Sequence, residues 1–225
     1  MVTTTRALGP EFDWLADDTE EDLVGASDHQ YAIVCSYVGI TYYRDRAGLP
    51  WFVGNQLPLL IPRHDGRSYH PSPDLCVHPT LGDATLTSLD VARQGPPALV
   101  VEFASPATAE RHDLDTTNPR AKPAVYALAG IAEYVVYDHS GRLVPERLRA
   151  WRRDATGVYA PWPADAEGRY HSALGLSFRP EPPILRWYDP QGRPLPTNRE
   201  LGQERDAQAR RIAALEAELR RLRGE

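Results

Sequence analysis

The stretch PPALVVEFASP, residues 96 to 106, does most to restrict what this chain can become. Ala98 to Phe103 is almost wholly apolar, with prolines on either side. A run this short and apolar, closed by residues that end a ladder, predicts a strand buried on both faces in the middle of a sheet. A second run of the same kind, YVVYD at 134 to 138, follows it. Between them AVYALAG, 124 to 130, reads as a helix that ends at Gly130, a good residue for the left-handed position after a helix. Asn118-Pro119 would suit a cap and first helical residue, but Pro123 would break a helix begun there, so the start is expected near Lys122-Pro123. Strand, helix and strand within about 40 residues predict a parallel crossover, with antiparallel hairpins before and after it. The expected class is therefore α/β, with a mixed central β-sheet flanked by helices.

One residue of the central strand is out of place on hydrophobic grounds. Glu102 sits one residue from the strand's end, and a carboxylate there is costly unless it is paired or binds a metal. Asp74 opens another short apolar strand, in PSPDLCV. If the two strands are neighbours, both carboxylates converge at one end of the sheet. Two carboxylates plus waters are a usual way to hold Mg²⁺, and such an ion can activate a water and steady a leaving oxygen. Plainer readings stand beside this one: a strand Glu paired with an Arg, and an Asp after proline acting in a turn. Asp74, Cys76 and His78 alternate along the same strand and project from one face, a zinc set by residue type. Three ligands so close on a flat strand wrap a tetrahedral ion poorly. His29 falls in the first turn of the first predicted helix, as a surface residue or as one that reaches the sheet edge.

Lys122 is the sole lysine of the chain; every other cationic position is arginine. The guanidinium fork pairs better with carboxylates, whereas a compact ammonium suits a place beside a water or a phosphate oxygen. A lysine left by chance in an arginine-rich composition is the plain alternative.

Around this centre, SDHQYAIVCSYVGITYYRDRAG predicts a helix with Ser27 as N-cap, Gln30 in a capping box and Gly48 after its end. Ile33, Val34, Tyr37, Val38 and Ile40 would form its apolar face. Residues 1–19 read as a flexible N-terminus, 20–190 as one domain and 198–225 as a helical tail. Ile212, Leu215, Leu219 and Leu222 follow a heptad seam in that tail. About two apolar heptads are short for an independent coiled coil, so packing on the chain's own domain and pairing in a parallel dimer are both open. The arginines between Arg142 and Arg153 read first as a solvated face that balances nearby acids.

The formal net charge of −6 argues against indiscriminate coating of nucleic acid, though not against a local basic groove. P-loop, Rossmann, nucleophile-elbow and H-E-x-x-H signatures do not occur. No apolar run approaches a membrane span, and the first residues are too acidic for a signal peptide. Cys35 and Cys76 read as buried free thiols, which favours a reducing, cytoplasmic location.

The combination PSPD, VVEFASPAT, a spaced Asp and Lys, and AVYALAGIAEYVVYD resembles the Uma2-like family of putative restriction endonucleases, within the PD-(D/E)XK nuclease superfamily. The resemblance runs from about Glu21 to Trp187. It implies a restriction-endonuclease-like core in which Asp74 and Glu102 bind Mg²⁺, with Mn²⁺ as its substitute. The superfamily's lysine, two residues beyond the Glu, is replaced here by Ala104. In Uma2-like sequences that lysine lies on the following helix, at the position of Lys122. The same likeness assigns supporting places to Tyr126, to Asp113 (with Asp115 as second choice) and to His29. The activity implied is metal-dependent hydrolysis of nucleic-acid phosphodiesters, with double-stranded DNA as substrate, and the tail seam adds a homodimer. The competing readings are a relative that binds nucleic acid without cutting, and an oligomerising regulatory module built around the tail.

Overall fold

The computed structural model describes residues 20–63, 67–106, 109 and 113–223, with side chains of the first helix from Asp28 onward. The N-terminal segment 1–19, expected to be flexible, lies outside the described residues. In chain order the elements are α1 (Glu20–Ala47), β1 (Phe52–Gly54), β2 (Leu59–Pro62), β3 (Ser68–Tyr69), β4 (Leu75–His78) and β5 (Leu89–Asp90). Then come α2 (Val91–Gln94), β6 (Leu99–Phe103), α3 (Lys122–Leu128), β7 (Glu133–Tyr137), β8 (Leu148–Arg153) and β9 (Tyr159–Pro161). The hairpin strands β10 (Tyr170–His171), β11 (Ser177–Glu181) and β12 (Ile184–Tyr188) precede α4 (Asn198–Arg223).

The central sheet has six strands in the order β1-β4-β6-β7-β8-β9. Only β6 and β7 in it run parallel, joined through α3 as the crossover pattern predicts. The other neighbours pair antiparallel. Two three-stranded sheets, β10-β11-β12 and β3-β2-β5, complete the mixed α/β architecture. Every residue of β6 and of β7 is buried, because both faces of the sheet carry a core. On one face Leu75, Val101, Phe103, Val135 and Tyr137 pack with Ile33 and Ile40 of α1 and with Phe178 and Trp187 of the hairpin sheet. On the other, Cys76, Val100, Ala104 and Val136 pack with Val125 and Tyr126 of α3 and with β2 and β5. A strand covered on both sides loses the alternation that marks a half-exposed one.

The helices show where local signals hold and where packing overrides them. α3 starts at Lys122, with Ala121 at the N-cap and Pro123 in its first turn, where proline's missing donor costs nothing. Gly130 follows it at φ +85°. Gly130 N–H donates to Ala127 O and Ile131 N–H to Tyr126 O, both at 3.1 Å, closing the helix in a Schellman motif. At α1 the expected boundary is corrected: the helix begins at Glu20, so Ser27 and Gln30 lie inside it and form no capping box at its start. Its buried face comprises Ala32, Ile33, Cys35, Ser36 and Ile40, while Val34 turns outward. Ser36 is buried because its hydroxyl accepts the Trp187 indole N–H at 3.0 Å.

Four of the arginines after β7 have partners within the fold, and Arg149, Arg152 and Arg153 remain exposed. Arg147 donates to His139 O, Arg149 pairs with Glu146 at 2.6 Å, and Arg153 donates to Ala127 O at 2.8 Å. Arg152 pairs with Glu133 at 3.1 Å and lies over the Trp162 ring. Among the described residues no helix is long and apolar enough to cross a membrane.

Candidate active site

The register of the central sheet decides the fate of the two sequence-predicted carboxylates. β4 and β6 pair antiparallel with Leu75 opposite Val101 and Cys76 opposite Val100. One step further along the same register sets Asp74 opposite Glu102, and directly opposed residues project from the same face. That face is the one covered by α3. Asp74 Oδ2 accepts the backbone N–H of Phe103 at 2.8 Å, which ties the mouth of β4 to the end of β6. Glu102 is only 2% exposed.

α3 brings the cation. Lys122 is its first residue, and its Nζ lies 3.0 Å from Glu102 Oε2 and 2.9 Å from Asp113 Oδ1. A positive charge at the first helical position opposes the helix dipole; here the two buried carboxylates offset that cost. One turn on, the Tyr126 hydroxyl donates to Glu102 Oε1 at 2.6 Å. Both oxygens of Glu102 therefore have partners from one helix. Tyr134 OH donates to the backbone carbonyl of Asp113 at 2.8 Å and fixes the segment that carries it.

Burial sets the protonation behaviour of the cluster. It pushes Glu102 up to about 8, against the attraction of Lys122, with Asp113 and Asp74 adding to the rise. Burial also raises Asp74, although the Phe103 N–H and Lys122 pull it down. For Lys122 burial works toward a lower value, but Glu102 and Asp113 outweigh it and hold the ammonium above the ordinary lysine range. The direction is consistent across the cluster: Lys122 stays charged, and the ionised form of Glu102 is costly in the free protein.

The remaining expected residues separate. His29 is half-buried near the end of β6, its ring centroid 6.3 Å from Phe103 and 5.9 Å from His139. Burial lowers its pKa, His139 adds to the effect, and Asp113 opposes it. Asp115, the second choice for Asp113, is instead the cap of an exposed turn, accepting from Thr117 N, Thr117 Oγ1 and Asn118 N. The zinc set along β4 does not assemble. His78 has its ring nitrogens on Gln94 O at 3.0 Å and Thr80 N at 3.3 Å, at the far end of the strand from Asp74. Among the described residues no group of three or more His, Cys, Asp or Glu side chains is placed to hold a metal. By residue type, Asp74 and Glu102 offer hard oxygen donors, the kind that suit an ion keeping several waters, as Mg²⁺ does, and not zinc.

His139 and Tyr134 were not singled out from sequence. His139 had a usable signal: parallel strands on either side of a crossover helix end at the same edge, and Phe103 is level with Tyr137, so the residues just after YVVYD fall at the edge where β6 ends. Tyr134 had none, since a tyrosine in a buried strand looks like core.

The family model for Uma2, described as putative restriction endonuclease, matches residues 36–179. The matched span contains Asp74, Glu102, Asp113, Lys122 and Tyr126, and excludes His29 and α4. No curated protein matches the chain.

Proposed function

Because the chain belongs to the Uma2 family of putative restriction endonucleases, matched over more than half its length, we propose that it is a metal-dependent endonuclease that hydrolyses phosphodiester bonds of double-stranded DNA. The observation that carries this reading is the Lys122 ammonium held against Glu102 and Asp113 at the end of β6, next to Asp74. Asp74 and Glu102 are the residues that would hold Mg²⁺, or Mn²⁺ in its place. When bound, the ion would supply Lewis-acid polarisation of a phosphoryl oxygen and a water of lowered pKa.

The chain's own residues have separable tasks on this reading. Asp113 keeps the ammonium in place, and Tyr126 holds the Glu102 carboxylate in one rotamer. Lys122 Nζ has three donors, so besides its two carboxylates it can donate to a water or to a phosphoryl oxygen as negative charge develops there. This gives the lone lysine a task beyond its two carboxylates: a compact ammonium can turn its remaining N–H toward a reacting oxygen. On the same reading His29 and His139, whose rings lie 5.9 Å apart, would meet the substrate backbone. The two cysteines, both buried and free, suit a reducing cytoplasm. A homodimer formed through α4 would bring two sites to one duplex.

A specific observation favours a second reading. The Lys122 ammonium already pairs with both Glu102 and Asp113, so the same fold would also serve a relative that binds nucleic acid but does not cut. Nicking of supercoiled plasmid by the purified chain with Mg²⁺ or Mn²⁺, beside Glu102→Ala and Lys122→Ala, decides between them. The nuclease reading expects metal-dependent cutting by the parent and loss in both variants. Equal traces in all three preparations would mark a contaminant and overturn it, and binding without cutting by the parent would overturn it in favour of the second.

A further inference from the structure

α4 leaves the domain and stays uncovered. Its first turn is anchored: Glu200 Oε2 accepts from Thr197 N–H at 2.7 Å, and Thr197 Oγ1 accepts from Glu200 N–H at 3.2 Å, a capping box. Arg186 of β12 pairs with Glu200 at 3.0 Å, and Cys35 of α1 donates to Asn198 at 3.4 Å. Beyond Gly202 every residue to Arg223 is exposed. The four seam residues are 51–71% exposed. The option that the tail packs its seam on its own domain is thereby removed, and a polar helix with a bare apolar stripe is left pointing into solvent. Helices without tertiary packing are marginal, so the stripe calls for a partner.

The charges beside the seam say which partner and in which direction. With Ile212 and Leu219 at heptad position a, and Leu215 and Leu222 at d, the flanking g positions are Arg211 and Glu218 and the e positions are Glu216 and Arg223. In a parallel, in-register pair each g residue faces the e residue five positions on in the other helix. That matches Arg211 with Glu216 and Glu218 with Arg223, and two-fold symmetry repeats both pairs. In an antiparallel pair that brings the same four apolar layers together, Ile212 against Leu222, Glu216 meets Glu216 and Glu218 meets Glu218. Ile at the first a with Leu at both d positions also suits two strands. Towards the domain the next seam positions are Gln208 and Arg205, which end the apolar contact.

We infer that α4 pairs with α4 of a second copy of this chain as a parallel, in-register two-stranded coil over Ile212–Arg223. This rests on the homodimer reading above and is independent of whether the protein cuts. The experiment is sedimentation equilibrium of the full chain from about 5 to 200 µM, joined to oxidative cross-linking of Ile212→Cys and Leu222→Cys. Cys35 and Cys76 are buried, so the parent is the blank. A dimer is expected, with each variant cross-linking to itself. Glu218→Arg should weaken the dimer about tenfold, and adding Arg223→Glu should restore it. A monomer at 200 µM would overturn both the dimer and the coil. A dimer whose cross-link forms only when the two cysteine variants are mixed would overturn the parallel arrangement alone. A dimer with no cross-link in any combination would show that it forms elsewhere.

Discussion

Replacing Lys122 by methionine keeps the length of the side chain and removes its charge, taking one ammonium away from Glu102 and Asp113, which are 2% and 1% exposed. Removing one partner from a buried ion pair costs about 3–5 kcal/mol. Two corrections act on that figure. The substitution also removes an unfavourable cation from the first helical position, worth about 0.3–1 kcal/mol. Glu102, already pushed up to about 8, can relieve part of the loss by taking a proton. A net loss of about 3 kcal/mol in mildly alkaline solution follows, or roughly 10 °C in Tm for a domain of this size. The pH dependence has a definite sign. A carboxyl whose folded pKa stands above its unfolded value contributes stability that is present at low pH and lost as pH rises through the folded value. Without the ammonium Glu102 rises further, so the variant's deficit relative to the parent should be smallest near pH 5 and largest near pH 9. Lys122 itself, held above the ordinary lysine range, stays charged throughout. Urea denaturation of both proteins at pH 5 and pH 9 reads this directly. A deficit of the same size at both pH values, or none at pH 9, would refute the buried ion cluster as a determinant of stability.

Tyr126→Phe removes a 2.6 Å hydrogen bond to a buried carboxylate, so about 1.5–3 kcal/mol should be lost in urea titrations; unchanged stability would mean that the bond contributes nothing. Because that hydroxyl lowers the Glu102 pKa, Mn²⁺ binding by the same variant should need a higher pH than in the parent. In the parent, a carboxyl with a value of about 8 must release its proton to ligate. Mn²⁺ affinity should then climb about tenfold per pH unit towards pH 8 and level off above it, and a flat profile from pH 6 to 8 in calorimetry would dispose of Glu102 as a ligand. Gly130→Ala should cost about 1–2 kcal/mol through its positive φ alone, since the added methyl would meet only Pro96 Cγ at 3.6 Å, an ordinary contact. Loss of the helix signal well beyond that amount would point to a packing role for the turn.

What could be read without coordinates rests on short-range physics. Prolines and an unbroken apolar run marked β6, Gly130 marked the end of α3, and the crossover between them followed from the spacing of two buried strands. The charge pattern of the tail is also legible there, because heptad periodicity is a property of one helix. Asp74 and Glu102 could be nominated because an acid at the edge of an apolar strand is expensive, whichever fold contains it.

Other points needed the assembled chain. Whether Asp74 meets Glu102 depends on β4 pairing with β6 in one particular register, and a slip of one residue would turn one of them to the opposite face. The choice between Asp113 and Asp115 turned on which carboxylate comes within 3 Å of Lys122 and which caps a turn, two residues apart in sequence and unlike in burial. Ser27 looks like a cap to any local rule, yet α1 runs through it. Side-chain chemistry and near-neighbour spacing suffice to nominate the buried strands, the crossover helix and the ionisable groups. That four of those groups share one buried end of a sheet, and that the tail seam faces solvent, comes from packing, because burial and long-range register are properties of the assembled whole.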